Sequence, residues 1–201
     1  MKKDNIYTVQ FRRKREGTTN YRKRLKILIS NKPRLVVRKS LNNIQAAIVE
    51  YNKKGDVVKL SCHSSNLKKF GWVYGTGNLP SAYLVGFLIG KRASGKFDSV
   101  IFDIGLNKSV KGSRIYAVLA GALDAGLKIP HSKEILPSKE RVIGKHIFDY
   151  CGLLKKDESL FKKQFGLYIK NNNNPLDIVK KFEEVKDNIN KKPLDKQGKN
   201  G

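Results

Sequence analysis

Residues 33–63, PRLVVRKSLNNIQAAIVEYNKKGDVVKLSCH, decide the fold. Residues 33–40 (PRLVVRKS) have an apolar centre, and Leu41, Asn42 and Asn43 read as a turn. Residues 44–51 (IQAAIVEY) are a second apolar run, closed by Lys53, Lys54, Gly55 and Asp56, and residues 57–63 (VVKLSCH) are a third. Short runs of this kind bounded by Asn, Gly and Asp are strands. Two brief connections in succession require an antiparallel meander.

Beyond a polar link containing Gly71, Gly75 and Gly77, a helix is predicted to start near Pro80, a favourable first-turn residue. Ala82, Val85, Leu88 and Ile89 lie on one side of it and Tyr83, Leu84 and Phe87 on others, so it must be largely buried. Gly86 and Gly90, four residues apart, leave room for another backbone. Residues 98–105 (DSVIFDIG) read as a strand covered on both faces. Ser113 is placed to cap the next helix, with Ile115, Val118, Leu119 and Ala122 at helical spacing and Gly126 at its end. Residues 127–130 (LKIP) suit one more short strand. Ser138 starts a further helix to about Tyr150, with Val142, Ile143, Ile147 and Tyr150 facing inward. Helices and strands alternating after a meander make a mixed α/β sheet.

The composition shifts at Gly152. Asn171–Asn174 form a polar linker, and Pro175 opens a helix with Ile178, Phe182, Val185 and Ile189 as one apolar stripe. Such a stripe must dock on the core or on another molecule. Residues 194–201 (LDKQGKNG) are expected to be disordered. The expected division is a basic arm and short helix (1–32), an α/β core (33–150) that folds without the tail, and a helical extension (151–201).

Ahead of the meander lies the densest charge in the chain. Residues 11–26 are FRRKREGTTNYRKRLK, in which eight cations fall into two clusters separated by Gly17, Thr18 and Thr19. Residues 1–10 read as an extended arm. Thr18 or Thr19 is placed to cap a short helix whose Tyr21, Leu25 and Leu28 form an apolar edge opposite Arg22, Lys23 and Lys26. Charge this dense repels itself unless it meets a polyanion, and interleaved Phe11 and Tyr21 bring stacking on bases within reach. The whole chain agrees: 42 Lys+Arg against 17 Asp+Glu among 201 residues give a formal charge of +25, which favours nucleic acid over acidic small molecules. Cys62 and Cys151 are the only cysteines, without a CxxC, which suggests a reducing compartment. The residues 1–14 lack the apolar run of a signal peptide, and no stretch approaches a membrane span, so a soluble, internal protein is expected.

Signals for catalysis are weak. Asp103, at the end of the FDIG strand, is the best candidate, but two-metal nucleases of the ribonuclease H type need several acids together. The first strand instead offers Arg34, Arg38 and Lys39, while Glu50 and Asp56 fall at strand ends. A lone Asp there more often caps the following loop. Cys62, His63, His131, His146 and Cys151 show no zinc-ligand spacing, so no metal is expected. GTGNLP (75–80) lacks both GxGxxG and a phosphate-loop Lys and reads as a turn. Trp72, within GWVYG, reads equally as a base-stacking platform or as an anchor on the core.

The segments FRRKREGTTNYRKRL, KPRLVVRKS, GWVYGTGNLPSAYLVG, FDIGLNKSVKGSRIYAVLAGALDAGLKIPH and ERVIGKHI, in this order over residues 5–148, resemble the archaeal-type 5S-rRNA-binding proteins of the large ribosomal subunit. The resemblance implies a ribonuclease H-like fold with five strands in the order 3-2-1-4-5 and the second antiparallel. It implies a non-catalytic, cytoplasmic ribosomal protein without cofactor. This protein would bind 5S rRNA beside 23S rRNA and neighbouring large-subunit proteins in the central protuberance. The RNA-contacting segment of that family corresponds to Phe11, Arg12, Arg13, Lys14, Arg15, Tyr21, Arg22, Lys23, Arg24 and Lys26. The loop GLNKSVKGSR matches the family too, and candidate further RNA contacts are Arg34, Arg38, Trp72, Lys108, Lys111 and Arg114.

Overall fold

The computed structural model describes residues 8–191; the expected disordered end at 194–201 lies outside them. The chain begins with one helical turn, α1 (Arg12–Arg15), and a short helix, α2 (Tyr21–Leu28). The meander follows as read. Strand β1 (Arg34–Lys39) pairs antiparallel with β2 (Ile44–Glu50), setting Leu35 opposite Ile48 and Val37 opposite Ala46. β2 pairs antiparallel with β3 (Val57–His63), with a register shift at Ile48/Val49. Because side chains alternate across a strand, Leu35, Val37, Ile44, Ala46, Ile48 and Cys62 share one face, and all are buried.

A 3-10 turn (Ser64–Phe70) leads through Gly71 to α3 (Leu79–Ala93), which Asn78 caps by accepting a hydrogen bond from the Ser81 amide, 2.9 Å. Strand β4 (Ile101–Asp103) then runs parallel to β1, and α4 (Arg114–Asp124) follows. α3 lies against β2 and β3, and α4 against β1. The two helices meet at their glycines. A Cβ on Gly86 would overlap the Val118 carbonyl, and one on Gly121 the Tyr83 carbonyl. Glycine is required here by the close approach of the backbones, as the spacing of Gly86 and Gly90 suggested.

The sheet departs from the five-stranded expectation. Among the described residues it has four strands in the order β3-β2-β1-β4. Residues 127–130 alternate as a strand would, with Leu127 and Ile129 buried. Their link to the chain before β4 is a bond from the Val100 amide to the Lys128 carbonyl, 3.1 Å. Pro130 has no N–H with which to extend a ladder. β4 itself is shorter than residues 98–105 and is not covered on both faces, since Ile101 and Phe102 are only half-buried.

The helix expected from Ser138 to Tyr150 is two helices, α5 (Lys139–Ile143) and α6 (Lys145–Leu154). Gly144 breaks it at φ +93°, packed against Pro80 and Ile178. Tyr150, expected inside, is exposed. A further helix, α7 (Glu158–Lys170), was not foreseen; Asp157 caps it, and Phe161, Phe165 and Tyr168 are its helically spaced aromatics. After a 3-10 turn at Pro175–Asp177 comes α8 (Ile178–Lys191).

The stripe on α8 finds its partner within the chain. Ile178, Phe182, Val185 and Ile189 are at most 2% exposed and belong to the same apolar cluster as Trp72 and Tyr83. The Phe182 and Tyr83 ring centroids are 5.4 Å apart. Tyr74 donates its hydroxyl to the Asn174 carbonyl, 2.6 Å, and the Gly75 amide donates to the Tyr168 hydroxyl, 3.1 Å. Burial pushes the Tyr74 phenol up to about 12, so it remains a donor at neutral pH.

Gly86→Ala should therefore destabilise the protein by about 1–3 kcal/mol or more through overpacking, although at an exposed helix position Ala would gain about 1 kcal/mol over Gly. Denaturant unfolding gives the sign directly. A chain ending at Cys151 should lose cooperative unfolding, because its α3 would expose the surface that Phe182 and its neighbours cover. A sharp transition of unchanged midpoint would show that residues 33–150 close their own core.

Candidate nucleic-acid interface

The basic arm is folded by its own polar residues. Gly17 turns the chain at φ +66°, and the Thr18 and Thr19 amides both donate to the Arg13 carbonyl, 3.0 and 3.2 Å. Arg13 Nε donates to Thr19 Oγ1, 2.8 Å. The threonines thus close the turn and do not cap α2; Asn20 does, accepting from the Lys23 amide at 3.0 Å. This brings the Phe11 ring to 5.2 Å from that of Tyr21. The apolar edge expected on α2 does not anchor it, since none of its residues is buried and Leu25 is 63% exposed.

An alternating series of charges ties α2 to the sheet instead. Arg24 Nη2 lies 2.8 Å from Asp56 Oδ1, and Asp56 Oδ2 lies 2.8 Å from Arg34 Nη2. Arg34 Nη1 in turn donates to Asp103 Oδ2, 3.2 Å. Asp103 Oδ1 is 3.6 Å from Arg38 Nη2 and accepts the Gly105 amide at 2.8 Å. Arg38 Nη1 also donates to the Val37 and Asp103 carbonyls, 2.8 and 3.0 Å. Burial opposes ionisation of Asp56, but its contacts with Arg24 and Arg34 outweigh that and hold the carboxyl below its usual value. The tether is therefore charged at neutral pH and weakens only in acid, as pH falls through that depressed value. Asp103, the sequence's best catalytic candidate, has its oxygens occupied by guanidinium groups and the amide of the following loop.

Between α2 and the loop after β4 runs an open groove of about 1040 Å³. Arg13, Tyr21, Lys23 and Lys26 line one side, and Phe102, Ile104, Leu106 and Asn107 the other. Lys14 and Arg22 line a smaller adjoining hollow of about 430 Å³, to which Leu106 also contributes. Two segments far apart in sequence, the arm and the GLN loop, thus face each other. Phe102, Ile104, Leu106 and Asn107 line the groove and were not among the candidates read from the sequence. The available signal was Leu106, an apolar residue in a basic loop, which is 53% exposed.

The remaining candidates divide by environment. Arg12 and Arg15 project from α1 into solvent, Arg12 in an exposed pair with Glu16 at 3.6 Å. Lys108 and Lys111 are exposed on the loop leading to α4, and Arg38 is part-exposed at the groove. Three others are engaged within the fold. Arg34 is 2% exposed. Arg114 Nη1 donates to the Gly77 and Leu41 carbonyls, 2.6 and 3.2 Å. Trp72 is buried, its indole donating to the Gly75 carbonyl at 3.2 Å, which is the anchor arrangement. Cys62 is buried beside Arg92; burial pushes its thiol up to about 11, partly offset by that arginine. Among the described residues no three His, Cys, Asp or Glu side chains converge on a metal position, and no helix is long and apolar enough to cross a membrane.

One family model accounts for arm, sheet and loop together. That of the ribosomal large subunit proteins 60S L5 and 50S L18 matches residues 5–99 and 95–132, running from the arm through α4 and covering more than half of the chain. The chain belongs to this family of large-subunit ribosomal proteins, which is structural and not enzymatic.

Proposed function

We propose that this protein binds 5S rRNA through the arm and the facing loop, and helps to hold it against 23S rRNA in the central protuberance of the cytoplasmic large subunit, beside neighbouring ribosomal proteins. Family membership supports an rRNA-bound, large-subunit role. The choice of 5S rRNA rests on the matching arm and loop segments. The observation that carries the reading is the groove, where the basic arm faces the loop after β4 and most of the arm's cations have no acidic partner among the described residues.

Phosphates are met by Arg12, Arg13, Lys14, Arg15, Arg22, Lys23 and Lys26, whereas Arg24 is directed at Asp56 and contributes chiefly to placement. Phe11 and Tyr21 form a tilted pair, and Phe11 stays largely exposed, so a base can stack on its free face. Lys108 and Lys111 extend the positive surface. No chemistry on the RNA is involved.

Cations that meet phosphates release counterions, so affinity must fall with salt. If about six of the seven make contact, the slope of log affinity against log salt should be roughly −4 to −5. Neutralising Arg12, Arg13, Lys14 and Arg15 together should make it shallower by about three. Phe11→Ala should cost on the order of 1–3 kcal/mol of affinity with the slope unchanged. The measurement is a salt titration against 5S rRNA and an unrelated structured RNA of equal length. Equal affinity for the two RNAs, or a wild-type slope in the arm variant, would overturn the proposal.

A further inference from the structure

We infer that Asp56, an acidic residue bordering a groove for a polyanion, is a positioning residue for RNA binding: it strengthens binding by mooring α2 to the sheet through Arg24. This rests on the proposed RNA-binding role of the arm and adds a determinant that family membership does not assign.

Four observations carry it. First, α2 contributes no buried residue, and Leu25 and Ile29 point largely into solvent, so apolar packing holds it weakly. Second, α2 carries Arg22, Lys23, Arg24 and Lys26 within six positions and stands near Arg34 and Arg38, so unscreened repulsion would drive it away. Third, Asp56 meets both sides of that repulsion. One oxygen lies 2.8 Å from Arg24 and the other 2.8 Å from Arg34, which is buried and itself fixed by Asp103. The mooring is therefore on an immobile group, unlike the exposed Arg12–Glu16 pair at 3.6 Å. Fourth, Asp56 lines the same groove as Lys23 and Lys26, so the position of α2 sets the distance from its cations to the loop opposite.

The opposing expectation is plain electrostatics. Removing a negative charge beside bound RNA should raise affinity, and any acid neutralised on so basic a chain should do the same or nothing. Mooring predicts the reverse, because an arm that must be ordered during binding costs affinity.

The test uses the full chain and three variants. Asp56→Asn removes the tether from the sheet side. Arg24→Gln removes it from the helix side while leaving Asp56, Arg34 and Asp103 together. Asp187→Asn, on the exposed side of α8, changes net charge as Asp56→Asn does but lies outside the groove. Amide hydrogen exchange of residues 21–28 in the free proteins should accelerate by about five- to tenfold in Asp56→Asn and Arg24→Gln, and stay unchanged in Asp187→Asn. Affinity for 5S rRNA should fall by about fivefold in Asp56→Asn and hold or rise slightly in Asp187→Asn. Unchanged α2 exchange in both tether variants, or Asp56→Asn binding as tightly as Asp187→Asn, overturns the inference. If Asp56→Asn does not fold, Arg24→Gln decides through the exchange measurement alone. A wild type that does not prefer 5S rRNA defeats the functional reading instead, and leaves the exchange result to stand or fall separately.

Discussion

A guanidinium buried to 2% exposure in a chain of net charge +25 is the constraint on which the structure turns. Unpaired, Arg34 would cost several kcal/mol, so its acidic partners are obligatory. Asp103 reaches it because β1 and β4 run parallel with Val36 opposite Asp103, placing the carboxylate beside the arginine two positions back. Asp56 reaches it because the turn between β2 and β3 ends one residue before Val57. The same two carboxylates then extend the pairing outwards, Asp103 to Arg38 and the Gly105 amide, Asp56 to Arg24. A single buried charge thereby relates the edge strand, a hairpin turn, the loop after β4 and the arm.

This arrangement sorts the cations by chemistry. Those with several partners inside the fold are arginines: Arg34, Arg38, Arg92 and Arg114. Their planar, multi-donor groups bridge carboxylates and carbonyls at once, as Arg114 bridges Gly77 and Leu41. The lysines of the arm and loop, Lys14, Lys23, Lys26, Lys108 and Lys111, are exposed point charges on flexible stems, suited to a phosphate surface whose detail varies. Replacing an inward arginine by lysine would keep the charge and lose the bridge, whereas the same change among Arg12, Arg13, Arg15 and Arg22 should be far milder.

How much was legible in the sequence follows from the range of the signals. The meander, α3 and the α8 stripe came from periodicity within a window of a few turns or strands, and the Gly86–Gly90 spacing correctly announced a close helix contact. The basic arm was legible from charge alone. What failed needed a neighbour. Leu127–Ile129 alternates locally, but a ladder depends on the chain beside it and on Pro130. Thr18 and Thr19 are as good caps as Asn20 until Arg13 folds back to engage them. Gly144 interrupts a continuous helical pattern at a positive φ where Pro80 and Ile178 leave little room for a side chain, and both lie far away in sequence. Arg34 looked like an RNA contact because its two acids lie 22 and 69 residues away, distances at which composition carries no pairing information.

The tail bears on the basic loop through hydrogen bonds and packing rather than charge. α8 covers Tyr83, while Asn174 and Tyr168 hold Tyr74 and Gly75. The next residues, Thr76 and Gly77, touch the turn between β1 and β2: Thr76 donates to the Asn42 carbonyl at 2.7 Å, and Gly77 packs on the Leu41–Asn42 backbone. Arg114 closes the circuit by donating to both Gly77 and Leu41, and it stands three residues after Lys111. The end of the loop bearing Lys108 and Lys111 is therefore set by a series of side-chain-to-backbone bonds that begins at the C-terminal helices, whereas its start is set by Asp103 and Gly105. Fixing a loop at both ends while leaving its lysines outside either network would limit the conformational entropy lost in the RNA binding proposed above, without lowering the positive charge.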